Sequence, residues 1–158
     1  MLSSALSSAA ARVIDAGKTP GLQYAVVQAG AITASGSAGT ANISASTPVT
    51  NETRFHIGSV TKLFTAVSIM QLVETGALRL DDSLAHFEPS FPDASEITVR
   101  ELLMHRSGIP DYADAALASG AVKTPTTPQA IVDSIAAKPL LSTPGTAFAY
   151  SNTNYVLL

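Results

Sequence analysis

The sequence predicts a mixed α/β chain of the α+β kind, an antiparallel sheet with flanking helices followed by an all-helical part. Three observations carry this. Leu2, Ala5, Leu6, Ala9, Ala10, Val13 and Ile14 recur at the spacing of one helix face. Two runs rich in β-formers, 22–28 and 31–38, flank Ala29-Gly30, a pair able to turn a hairpin. From Ser59 onward, apolar residues return at helical spacing between capping and breaking residues. Composition agrees: 46% apolar and 13% charged residues support a sizeable core and exclude disorder. A net charge of −3 without a basic patch excludes nucleic acid as a partner. No apolar run approaches the roughly 20 residues of a membrane span. The lack of cysteine excludes disulfides, thiol catalysis and zinc–thiolate sites. Met1-Leu2-Ser3-Ser4 has no basic n-region and is not read as a signal peptide, which slightly favours the cytoplasm without assigning a compartment.

The first helix is expected to end near Gly17, with Pro20 beyond it. Gly17-Lys18-Thr19 has the look of a phosphate-loop tail. Arg12 stands where such a loop needs glycine, and the tripeptide ends a helix instead of opening one. After the hairpin, residues 39–50 predict a loop or weak strand. Arg54-Phe55-His56-Ile57 is a short approach to Ser59, and His56 is expected to be structural or at the surface. Phe64, Ala66, Val67, Ile69, Met70, Leu72 and Val73 surround the next helix on nearly all sides, which predicts a central, buried helix that Gly76 ends. Asp81-Asp82-Ser83 marks a turn, and Pro89 and Pro92 a loop.

Thr98-Val99-Arg100-Glu101 is a capping box opening a short helix that stops by Ser107-Gly108. His105, in its last turn, is expected to serve the negative end of the helix dipole as a structural cation. Residues 111–127 read as loop with a possible short helix. Thr127-Pro128 caps and begins a helix bearing Ile131, Val132 and Ile135, which Pro139 closes. Pro144-Gly145 forms a turn, and Tyr155-Val156-Leu157-Leu158 opens a further helix.

Chemistry concentrates at Ser59 and Lys62. Residues three apart share a helix face, so the lysine amine can sit beside the serine hydroxyl. A lysine held partly neutral by its surroundings can take the serine proton. Free N–H groups at a helix start can stabilise charge on a bound carbonyl oxygen. A Ser-x-x-Lys pair alone is weak evidence, because a capping serine and a solvated lysine give the same pattern. Its apolar setting argues for more. Competing chemistries lack their residues: there is no Gly-x-Ser-x-Gly elbow, His56, His86 and His105 have no zinc-site spacing, and no glycine-rich dinucleotide fingerprint follows a strand.

With these residues in view, the chain resembles the serine penicillin-recognising family. That family contains class C β-lactamases, D-alanyl-D-alanine carboxypeptidases, D-aminopeptidases and β-lactamase-like (family VIII) carboxylesterases. Ser59-Val60-Thr61-Lys62 is similar to its Ser-x-x-Lys motif, and Tyr150-Ser151-Asn152 to its second motif. The segment from Leu102 to Gly108 is similar to a recurrent structural stretch. The resemblance implies the β-lactamase/transpeptidase-like fold, with 1–58 in the sheet subdomain and 59–158 in the mainly helical subdomain of one domain. It implies Ser59 as acylated nucleophile and its backbone N–H as an oxyanion donor, Lys62 and Tyr150 as proton-transfer groups, and Asn152 as the residue that orients Lys62 and binds substrate. It implies a small ester, amide or β-lactam substrate and no cofactor or metal. The motif variant leans toward a carboxylesterase or D-aminoacyl peptidase, with a non-catalytic ligand-binding relative or inactive fragment as the alternative.

The family's third motif, Lys-Thr-Gly or His-x-Gly, has no counterpart after Asn152. The expectation is therefore an N-terminal portion that lacks the C-terminal strands and helix. Its activity would depend on a C-terminal fragment of the same enzyme as a second chain.

Overall fold

Turn and cap chemistry in this sequence translates, among the described residues, into six α-helices and three strands. The computed structural model describes residues 2–119 and 125–158; the remainder of the 111–127 stretch, at 120–124, lies outside the described residues. The chain divides into two compact units, 1–56 and 57–158.

In the first unit, α1 (Leu2–Asp15) ends as expected at Gly17. Gly17 takes φ 65°, and its N–H reaches Ile14 O while that of Lys18 reaches Val13 O, the paired bonds of a glycine-terminated helix. Strand β1 (Gly21–Gln28) pairs antiparallel with β2 (Ala31–Asn42), from Gly21 opposite Gly39 to Gln28 opposite Ala31. Ala29 and Gly30, at φ 49° and 79°, give the left-handed turn whose twist matches a two-residue hairpin. The stretch expected as loop or weak strand extends β2 and adds β3 (Thr47–Pro48), making a three-stranded sheet in the order β1-β2-β3. Helix α1 lies against β2, and Ala10, Ala34 and Val49 are buried.

The second unit opens with a 3-10 turn, Gly58–Val60, leading into α2 (Thr61–Glu74). Ser59 therefore lies in the 3-10 turn just before the α-helix. The helix closes at Gly76 (φ 75°), with Gly76 N–H on Val73 O and Ala77 N–H on Leu72 O. The expectation of a buried central helix is corrected. Only Ile69 is buried, whereas Leu63, Phe64 and Val67 are 66, 64 and 58% exposed. A helix that is apolar all round needs cover all round, and α2 finds it on one side, where Ile69 meets Leu78 and Val99 with Val73 and Leu158 alongside.

The main core joins Leu84, Phe91, Ile97, Leu102, Ile109 and Ile135. Helix α3 (Val99–Leu103) begins with the expected capping box: Thr98 Oγ1 accepts the Glu101 N–H, and Glu101 Oε2 accepts the Thr98 N–H at 2.8 Å. Helix α4 (Tyr112–Ser119) fills part of the predicted loop. Helix α5 (Pro128–Ala136) is capped by Thr127 Oγ1 on the Ala130 N–H, and α6 (Asn152–Leu157) follows the Gly145 turn.

Polar pins then bring segment 105–111 beside segment 149–154. Ala149 N–H donates to His105 O (2.9 Å), Ser107 Oγ to Asn154 Oδ1 (2.7 Å), and Thr153 Oγ1 to Pro110 O (2.7 Å). Gly108 allows the close approach of the neighbouring strand of chain, because a Cβ there would lie 2.2 Å from Ser142 O. Since α3 sits between both clusters, Thr98→Ala is expected to lower the unfolding free energy by about 1 kcal/mol. Urea denaturation checks this: the midpoint falls with an unchanged slope, and Thr98→Ser recovers most of the loss.

Candidate active site

Ser59 and Lys62 meet because the 3-10 turn and the first turn of α2 put residues three apart on one side. Lys62 Nζ donates to Ser59 Oγ at 3.3 Å. The second half of the site arrives on the extended approach to α6. Ser151, the residue before the helix, has φ −144° and ψ 121°. Successive side chains on extended backbone point to opposite sides, so Tyr150 and Asn152 face Ser59 while Ser151 turns into the core. Ser151 is 1% exposed and donates its hydroxyl to Pro110 O. The middle residue of Tyr150-Ser151-Asn152 thus anchors the segment and does not line the cleft.

The four sequence-predicted residues come together. Ser59 Oγ and Tyr150 Oη are 2.9 Å apart. Lys62 Nζ donates to Asn152 Oδ1 at 2.6 Å, and the Tyr150 phenol to the same oxygen at 3.4 Å. Lys62 Nζ also lies 5.0 Å from the Tyr150 ring centroid. Hydrogen bonding by Lys62, then by Ser59, favours the phenolate and lowers the Tyr150 pKa from its ordinary 10.0. Ser59, Lys62 and Asn152 line an open cleft of about 370 Å³ that also takes in Gly58, Thr65 and Tyr112.

Two residues of the site were not foreseen. Asp111 Oδ2 accepts from Asn152 Nδ2 at 2.7 Å, which fixes the amide so that its oxygen meets Lys62. Its other oxygen, Oδ1, accepts the Ala113 N–H, and an aspartate after Pro110 at a helix start was the available signal. His105 is the second, and the dipole reading is corrected. Its ring stacks on Tyr150, centroids 4.4 Å apart and planes 30° from parallel. Burial first, then the Lys62 charge, push its pKa below 6.5 against the opposing influence of Asp111, and its Nδ1 accepts the Ser151 N–H, so at pH 7 the neutral ring is favoured over the cation. His56 is exposed in the first unit, and His86 sits edge-on to Phe87. Among the described residues, no three His, Asp or Glu side chains converge as a metal site.

The beta-lactamase family model matches residues 6–158. A penicillin-binding protein of Bacillus subtilis (strain 168) is 35% identical over 122 residues, 76% of this chain and 27% of that protein. The D-amino acid amidase of Ochrobactrum anthropi SV3 superposes with a TM-score of 0.79 at 33% identity, over 90% of this chain and 39% of its own. EstCE1, a hydrolase with promiscuous acyltransferase activity, superposes with a TM-score of 0.82 at 25% identity, over 96% and 44%. The chain spans about a quarter of the length of the curated relative and less than half of either structure. With its antiparallel sheet, its helices and a family match across nearly its whole length, the chain belongs to the beta-lactamase family.

Proposed function

We propose that this chain carries the reacting residues of a serine hydrolase that acts through an acyl-enzyme on an ester or a D-amino-acid amide or peptide, in preference to a β-lactam. The hydrogen-bonded set of Ser59, Tyr150, Lys62 and Asn152 carries the reading. Ser59 Oγ attacks the substrate carbonyl carbon. Its proton passes to the Tyr150 phenolate oxygen, the nearer acceptor at 2.9 Å, while the Lys62 side chain stabilises that phenolate. The Ser59 backbone N–H donates to the developing oxyanion. Collapse breaks the bond to the leaving alcohol or amine, which takes the proton from Tyr150, and water later hydrolyses the acyl-Ser59. Asn152 orients Lys62 and keeps one amide hydrogen for substrate, since the other is bonded to Asp111. The amidase and hydrolase neighbours support this substrate class.

Residues 1–58 and 59–158 belong, in this reading, to one domain, completed by a C-terminal segment of the same enzyme bearing the Lys-Thr-Gly or His-x-Gly motif. The share of each relative that the chain spans and the uncovered apolar side of α2 support this.

Hydrolysis of a p-nitrophenyl ester and of D-phenylalanine p-nitroanilide, by the protein with and without such a segment, tests the reading. Ser59→Ala is expected to abolish turnover of both; turnover that survives it overturns the proposal. Because the Tyr150 pKa is lowered, its phenolate fraction builds up at lower pH than that of an ordinary tyrosine. kcat/KM is therefore expected to rise with pH and level off below 10.0. Tyr150→Phe removes that rise and lowers kcat by about 10²- to 10⁴-fold. Asp111→Ala frees the Asn152 amide to turn and is expected to lower kcat by roughly tenfold. Asp111→Asn, which keeps an acceptor oxygen, loses less.

A further inference from the structure

His105 occupies the position just past the end of α3, where helices usually place glycine. Its φ is 55°, and the His105 N–H to Leu102 O and Arg106 N–H to Glu101 O bonds are those of a left-handed helix terminus. A bulky residue takes that conformation only where its surroundings hold it. The side chain explains the choice. His105 touches the Tyr150 segment three times: its backbone O accepts the Ala149 N–H (2.9 Å), its Nδ1 accepts the Ser151 N–H (3.2 Å), and its ring stacks on the phenol between them. Tyr155 lies against the same imidazole at 5.2 Å and Phe148 meets it edge-on at 6.1 Å.

We propose that His105 is the positioning residue for Tyr150, holding the phenol at Ser59 through a stacked ring and an Nδ1 acceptor that only a neutral imidazole provides. The inference rests on the proposed function in one respect, that Tyr150 moves a proton. Nδ1 can accept only with its proton on Nε2. Protonation at Nδ1 removes the acceptor from Ser151 and loosens the turn that carries Tyr150 and Asn152. The charged groups acting on the ring are Lys62, which opposes that protonation, and Asp111, which favours it; Tyr150 and Tyr155 are the titratable groups against its faces.

The test is the titration of Tyr150 by NMR in protein labelled with [13Cζ]tyrosine, in the parent and in three variants. His105→Phe keeps a ring without the acceptor. His105→Asn keeps an acceptor and suits the left-handed backbone. His105→Ala keeps neither. The parent Tyr150 is expected to titrate below 10.0; all three variants move it upward, His105→Ala furthest, while Tyr24 and Tyr112 report an intact fold. If His105→Ala disturbs those two signals, His105→Asn decides in the same way. A lowered parent value that no variant moves overturns the role of His105 and leaves the proton-transfer role of Tyr150 standing. A parent Tyr150 that titrates at 10.0 overturns both.

Discussion

The hydrogen bond from Lys62 Nζ to Asn152 Oδ1, 2.6 Å long, ties two segments 90 residues apart and sets everything around it. A charged donor on an amide oxygen makes a short, strong bond, stronger still where partly shielded from water. Together with the 2.9 Å contact of Ser59 Oγ with Tyr150 Oη, it holds the first turn of α2 against the approach to α6. Each partner is oriented from behind. Lys62 follows from the helical offset to Ser59. Asn152 follows from Asp111, which accepts from its amide nitrogen and so turns the oxygen toward the lysine. The geometry at Ser59 is thus the last link of a chain that begins at a loop aspartate.

That chain works because the framework behind it is buried, and polar where it needs to be. Ser107, Ser151, Thr153 and Asn154 are buried, and the contacts from Ser107 to Asn154 and from Ser151 and Thr153 to Pro110 fix the register of 105–111 against 149–154. Buried polar contacts of this kind specify one arrangement, since a shifted register leaves donors and acceptors unpaired. The apolar clusters do the complementary task and carry α3, whose C-terminal end delivers His105 to the Tyr150 ring. Helix α2, the element bearing Ser59 and Lys62, is secured through Ile69 on one side and leaves Leu63, Phe64 and Val67 open.

What could be read from the sequence divides by range. Ser59 with Lys62, the Thr98 capping box, the Ala29-Gly30 turn and the Thr127-Pro128 start are local patterns, and local geometry follows from them. Asp111 and His105 act on residues 41 to 46 positions away, and no spacing rule brings those pairs together. His105 also sat where a dipole argument gave a sufficient local explanation, which concealed the stacking role of its ring. The burial expected of α2 failed for a different reason. Apolar composition on all sides shows that a helix wants cover, whereas its exposure depends on which residues are there to cover it. Strand β3, two residues ending in proline, carries too little pattern to be distinguished from loop.

The central claim is that Ser59 becomes covalently acylated. The most direct measurement is an intact mass spectrum of the protein before and after exposure to a short p-nitrophenyl ester, followed by peptide mapping of any adduct. The account predicts one added acyl group on the peptide containing Ser59, and none on the Ser59→Ala protein. An adduct that maps elsewhere, or released nitrophenol with no dependence on Ser59, would contradict it.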